Sequence, residues 1–254
     1  MTNAQKQHIL MLRSFRGIDE NRRPMNQSVR AAIFDLDGLL LDTERLYDEV
    51  FREYIVLRTG APMEEKAFLA MRAQMFGASP LVNANRLHAL IGINEPGECF
   101  LEWRKPRITE MLPKARLLPG AESLVRILAR KKVPMAIATS SDRGFYTLKT
   151  GSHREFFSLF GNHIVTSDDV YNTKPEPDLF LMAAAHLSIP PRTCLVFEDA
   201  PSGVEAALRA GMRVVAVPHP QLDRSLVARA DEVLDTLEQF DPARWNLFSQ
   251  NASV

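Results

Sequence analysis

The sequence predicts an α/β protein, a doubly wound parallel sheet with a block of helices inserted after its first strand. Three observations lead there. Five short, almost unbroken apolar runs are spread along the chain, and helical patterns lie between or after several of them. One long interval, from about Thr43 to Leu118, carries helical patterns alone. Near-continuous apolar runs suit parallel strands covered on both faces, and their alternation with helices gives a doubly wound sheet.

The predicted strands are Ala31–Asp35, Val133–Thr139, His163–Thr166, Cys194–Glu198 and Arg213–Val217. Between them, "PGAESLVRILARKK" sets Leu124, Val125 and Leu128 on one stripe and ends in a basic turn. "KPEPDLFLMAAAHL" opens with proline, which a first helical turn tolerates. "PSGVEAALRAG" closes on Gly211, a residue suited to the position just past a helix end. The inserted interval reads as "ERLYDEVFREYIVL", "PMEEKAFLAMRAQMFG" and "PLVNANRLHALIG". It is expected over the carboxyl end of the first strand, where open α/β sheets bind ligands, and so reads as a lid. The expected organisation is a tail over 1–29, a core over 30–43 and 118–245, and a helical cap over 44–117. Hinges are expected near Asp42–Thr43 and near Pro113–Pro119, where helical patterning stops.

Composition narrows the partners. The chain has 254 residues, 46% hydrophobic, enough for a sizeable core. Lys+Arg and Asp+Glu number 31 each, so no charge bias points to nucleic acid or a membrane surface. No apolar run approaches the ~20 residues that span a bilayer. Cys99 and Cys194 read as reduced, mostly buried thiols of an intracellular protein. The first thirty residues are basic, with Lys6, Arg13, Arg16, Arg22, Arg23 and Arg30 against Asp19 and Glu20. A disordered tail is expected there, with an organelle-targeting presequence as the alternative. A cytoplasmic monomer acting on a small molecule is the expectation.

The chemistry gathers at strand ends. In "AAIFDLDGLLLDTERL" four apolar residues run into Asp35 and Asp37, and burying such a pair is costly without a counter-charge. Residues two apart on a strand point the same way, and Gly38 opens turn conformations closed to other residues. The second strand ends in Thr139, Ser140 and Ser141; Lys174 follows the third in "NTKPEP"; Glu198 and Asp199 close the fourth in "FEDAPSG". Singly, these are a surface turn, a strand-end hydroxyl, a solvated lysine and a helix cap. Together, three or four carboxylates on one sheet edge suit a hard cation, Mg²⁺, which draws phosphate toward the paired acids. Lys174, Thr139 and Ser140 can hold the remaining phosphoryl oxygens. His153, His163, His186 and His219 show no ligand spacing and read as surface or packing residues.

"FDLDGLLLDTE", "IATSS", "KPEPDLF" and "VFEDAPSGVEAA" resemble the four ordered motifs of the haloacid dehalogenase-like (HAD) phosphohydrolases, with a Rossmann-like core. The resemblance covers about residues 30–240, and the helical insertion matches the family's first-position cap. "FDLDGLLLDTERLY", "HREFFSLF" and "VFEDAPSGVEAAL" are most similar to the pseudouridine-5′-phosphatase-like group; β-phosphoglucomutase and polyol-phosphate phosphatases are relatives. The resemblance implies Asp35 as nucleophile and aspartyl-phosphate carrier, and Asp37 as acid and base with a raised pKa. It implies Mg²⁺ on the Asp35 carboxylate, the Asp37 carbonyl and Asp199, with Glu198 bound directly or through water. Many relatives place a glycine and basic residues on the cap. Here Gly77 is followed by Ala78 and Ser79, so Gly77, Ser79, Arg72 or Arg86 is expected to meet the substrate. The implied activity is hydrolysis of a nucleoside, sugar or polyol monophosphate, with a phosphosugar mutase as alternative. A catalytically inactive binding module would be expected to lose Asp35, Asp37 or Lys174, and none is lost.

Overall fold

The computed structural model describes residues 28–75 and 79–247. The strands are β1 (Ala31–Phe34), β2 (Met135–Ala138), β3 (Ile164–Val165), β4 (Cys194–Glu198), β5 (Arg213–Ala216) and β6 (Glu232–Val233). All pair in parallel, in the order β3-β2-β1-β4-β5-β6, the doubly wound order. Residues of one strand divide between the two faces. Ala32 and Phe34 of β1 join one core with Leu195 and Phe197 of β4, while Ala31, Ile33, Cys194 and Val196 join the other. Both faces are therefore covered, which is why these strands read as unbroken apolar runs.

The helices are α1 (Glu44–Thr59), α2 (Glu65–Ala73), α3 (Pro80–Leu90), α4 (Gly97–Met111), α5 (Ala121–Arg130), α6 (Arg143–Thr150), α7 (Arg154–Ser158), α8 (Asp178–His186) and α9 (Pro201–Arg209). The predicted stripe of α5, Leu124, Val125 and Leu128, is buried. Gly211 follows α9 at φ +73°, a left-handed conformation that glycine adopts without strain. In "HREFFSLF", α7 and the residues after it deliver Phe156, Phe157 and Phe160 to the first core. There Phe160 meets Phe34 edge-on at 5.8 Å, and Phe34 stacks on Phe197 at 4.7 Å.

Helices α1 to α4 pack around a third cluster that includes Phe51, Tyr54, Phe68, Leu87 and Phe100. Two segments join this block to the sheet. They run side by side where the hinges are predicted: the Asp42 amide donates to the Arg116 carbonyl at 2.8 Å, and the Leu118 amide to the Leu40 carbonyl at 3.0 Å. Among the described residues no helix is long and apolar enough to cross a membrane.

Some expectations differ from the structure. Four of the five predicted strands are shorter than expected: Asp35, Thr139, Thr166 and Val217 fall just past their strands, and β2 and β3 also begin later, at Met135 and Ile164. The amides of Asp35, Thr139 and Val217 still bond the neighbouring strand, so each lies where the ladder closes. The edge strand β6 has two half-buried residues, too few to leave an apolar run, and escaped prediction. Cys99 is exposed near the start of α4 rather than buried; Cys194 is buried, and both are free thiols. Most of the basic tail, and Gly77, lie outside the described residues.

Phe197 joins β4 to both Phe34 and Phe240. Phe197→Ala should cost about 3–5 kcal/mol of unfolding free energy, read from chemical denaturation; a loss under about 1 kcal/mol would contradict this packing.

Candidate active site

The sheet order reverses at β1: the chain moves outward to β2 and β3, then crosses back to place β4 on the other side of β1. The carboxyl ends of β1 and β4 flank a crevice of the kind where doubly wound sheets hold ligands. Asp35 follows β1, Thr139 follows β2, and Glu198 ends β4 with Asp199 after it. A cleft of ≈ 330 Å³ opens there, lined by all four and by Asp37, Ser140 and Lys174.

The floor of the cleft is a charge cluster. Lys174 Nζ donates to Asp35 and, at 2.5 Å, to Glu198 Oε1. Burial alone would lower the Lys174 pKa, but the two carboxylates outweigh it and raise the value. Burial pushes the Asp35 carboxyl up to about 7 against the pull of Lys174, with Glu198 and Asp37 adding to the rise. Packing around Asp199 also raises its carboxyl well above the ordinary range, helped by Glu198 and Asp35. These three acids offer oxygens all within 4.8 Å of one another. An all-oxygen donor set with an excess of carboxylate fits a hard divalent cation, which would relieve the repulsion that Lys174 leaves uncompensated.

Two glycines make room for the cluster. A Cβ on Gly203 would lie 1.7 Å from Glu198 Oε1, and one on Gly38 would lie 2.3 Å from Asp199 Oδ2. Gly38 also has φ +77°, so the turn after the paired aspartates excludes side chains for two reasons.

Asp37 differs from expectation. Its oxygens pair with Lys149 Nζ at 2.7 and 2.8 Å, and accept from Thr43 Oγ1 at 2.9 Å and Ser141 Oγ at 3.0 Å. Burial would raise its pKa, but Lys149 and these hydrogen bonds hold it below the ordinary value rather than above it. Lys149 had no strand-end signal. The available hint was a lysine four residues after Phe145 on the face of α6 that packs toward the core.

Of the described cap candidates, only Arg72 lines the cleft, and it is already engaged: Nη2 reaches Glu44 at 2.6 Å and Nε bonds Asp48. Arg86 is exposed and donates to the Gln74 carbonyl at 2.6 Å, away from the cleft lining. Ser79 is exposed and caps α3, its hydroxyl accepting from the Val82 amide at 3.4 Å. The roof is instead supplied by Tyr47, Phe51, Asn83 and Arg104, none singled out by the sequence. His219 lines the cleft, while His153 bonds the Ala115 carbonyl at 2.8 Å.

A family model described as haloacid dehalogenase-like hydrolase matches residues 29–211, and the chain belongs to that family. Among its relatives, (DL)-glycerol-3-phosphatase 2 of Arabidopsis thaliana is 42% identical over 227 residues, covering 87% of this chain and 92% of the relative. The probable pseudouridine-5′-phosphatase of Drosophila melanogaster is 40% identical over 227 residues, covering 87% and 95%. A solved HAD family hydrolase from Deinococcus radiodurans R1, with bound phosphate and sodium, superposes with a TM-score of 0.73 at 27% identity, covering 86% of this chain and 96% of that one. The chain is a hydrolase of phosphoric monoesters.

Gly203→Ala should displace Glu198 and lower phosphatase turnover at least about tenfold, with the fold retained by circular dichroism. Gly151→Ala, where a Cβ meets nothing within 4 Å, is the control and should keep wild-type activity. Equal activities in the two variants would contradict the close approach at Gly203.

Proposed function

We propose that the chain is a Mg²⁺-dependent phosphatase of small phosphorylated metabolites, working through an aspartyl-phosphate on Asp35. The observation that carries this reading is the Asp35 carboxylate at the strand-order reversal, held by Lys174 beside the Glu198–Asp199 pair. Two relatives named as phosphatases, of glycerol 3-phosphate and of pseudouridine 5′-phosphate, support a polyol or nucleoside monophosphate as substrate.

Asp35 attacks phosphorus and releases the alcohol, splitting one hydrolysis into two easier displacements. Asp37 gives a proton to the leaving oxygen and later takes one from the attacking water. It starts from the ion pair with Lys149, so the proton must be gained as substrate enters; Thr43 and Ser141 keep the carboxyl aimed while that happens. Lys174, Thr139 and Ser140 hold phosphoryl oxygens. Asp35, Asp199, the Asp37 carbonyl and Glu198, directly or through water, would hold the ion, which when bound supplies charge neutralisation between carboxylate and phosphoryl group. Residues 44–117 act as the cap, closing over the cleft about the paired segments near Asp42 and Arg116 to exclude water from the first displacement.

Asp35→Asn should lower turnover at least about a thousandfold without unfolding the protein, since the amide is a poor nucleophile. Residual activity above about a tenth of wild type would reject the assignment. Phosphate release from a panel of phosphorylated nucleosides, polyols and sugars should require Mg²⁺ and be inhibited by Ca²⁺, whose longer, looser coordination misaligns in-line attack. Full activity in excess EDTA would reject the metal. Lys149→Met should lower turnover on alkyl phosphates more than on p-nitrophenyl phosphate, whose good leaving group needs little protonation; equal losses would reject the role given to the pair.

A further inference from the structure

The helical block is rich in arginines, and those around Arg104 are matched. Arg45 pairs with Glu49, Arg52 with Glu65, Arg58 with Glu95, Arg72 with Glu44 and Asp48, and Arg107 with Glu53. Arg104, in the middle of α4, is different. Its Nε is fully buried without a hydrogen-bond partner, and its guanidinium lies over the rings of Tyr47 and Phe100, at 5.3 and 5.7 Å. Among the described residues no carboxylate pairs with it, and burial holds its pKa below the ordinary arginine value. Yet Arg104 lines the same cleft as Asp35 and Asp37.

Tyr47, beneath the guanidinium, lines the cleft as well. Both residues come from the helical block, whereas Asp35, Thr139, Glu198 and Asp199 stand at the strand ends, so Arg104 faces the part of a bound ester that the strand ends do not hold. A half-buried cation without an acid is costly, and guanidinium carries donors only, in a planar fork. The favourable occupant is an oxygen that only accepts.

We propose that Arg104 selects the substrate, by donating to a carbonyl or carboxylate oxygen on the alcohol portion of the phosphate ester. This rests on the phosphatase reading above and deepens it. Esters whose alcohol portion carries hydroxyls alone gain little from Arg104, because a hydroxyl is a weaker acceptor for a charged donor. Tyr47 and Phe100 hold the guanidinium plane in place, so few degrees of freedom are lost when the acceptor binds.

The test is kcat/KM for wild type, Arg104→Met and Arg104→Lys on four esters. Uridine 5′-phosphate offers carbonyls, 2-phosphoglycolate a carboxylate, glycerol 3-phosphate hydroxyls only, and phenyl phosphate no acceptor. Methionine keeps the stem over the two rings and removes every donor; lysine keeps the charge without the fork. Arg104→Met should lower kcat/KM about 10- to 100-fold on whichever acceptor-bearing esters wild type turns over, chiefly through KM, as expected for a lost charged hydrogen bond. Its values on glycerol 3-phosphate and phenyl phosphate should stay within about threefold of wild type, and Arg104→Lys should fall between. A common factor across all four esters, or no change on any, would overturn the proposal; so would wild-type preference for glycerol 3-phosphate over both acceptor-bearing esters. Wild type inactive on every ester with Mg²⁺ present would overturn the phosphatase reading instead. A melting temperature within a few degrees of wild type confirms that each variant is folded, and Arg104→Lys supplies the comparison if Arg104→Met fails that check.

Discussion

Three carboxylates at the ends of two neighbouring strands repel one another, and much of the site's architecture answers that repulsion. Asp35 and Glu198 share one ammonium, Lys174, which arrives from the segment after β3 on the far side of the sheet. Burial, and behind it a repulsion that one positive charge does not balance, keeps the pKa values of Asp35 and Asp199 raised. The strand order follows from the same requirement. Only with β1 and β4 adjacent do the residues after them meet, and only a reversal of winding at β1 leaves a crevice above them. Gly38 and Gly203 complete the arrangement by leaving no atom where the carboxylates stand.

Asp35 and Asp37 are separated by one leucine and have opposite surroundings. Asp35 is nearly inaccessible, at 6% exposure, and burial dominates its behaviour. Burial acts on Asp37 too, but Lys149, Thr43 and Ser141 together outweigh it. Environments that push two neighbouring carboxyls in opposite directions are how one site assigns two roles to the same side chain. Thr43 lies just before α1, where the chain leaves the sheet for the helical block, and Lys149 near the end of α6, so this division is enforced from both sides of Asp37 within the core.

What the sequence revealed, and what it hid, divides along the same line. Cys194–Glu198 is legible to the residue, and Asp35, Thr139, Lys174, Glu198 and Asp199 all reach the cleft. Strand ends are readable because burial on both faces makes each apolar run unbroken and its end abrupt. Lys149 and Arg104 lie inside helices, where reaching a site depends on how the helix packs, and packing leaves no local signature. Arg72 shows the converse. Its partners Glu44 and Asp48 lie 28 and 24 positions away, so nothing near it in sequence foretold that the charge was already matched. The two-residue β6 falls below the length at which periodicity can be recognised at all.

The separation of cores bears on where specificity can change. The floor of the cleft is fixed by strands whose side chains belong to the two sheet clusters, and a change there disturbs the carboxylates directly. The roof is carried by α1 to α4, which pack largely around their own cluster of Phe51, Tyr54, Phe68 and Phe100. Substitutions on separate cores interact weakly, so roof residues such as Asn83 and Arg104 can vary without moving Asp35 or Lys174. Conversely, a roof built on rigid helices holds a selecting side chain more closely than a loop would. The same sheet can thus keep one chemistry while the helical block varies, and the unmatched guanidinium of Arg104 is where the proposed choice of alcohol would be written in this chain.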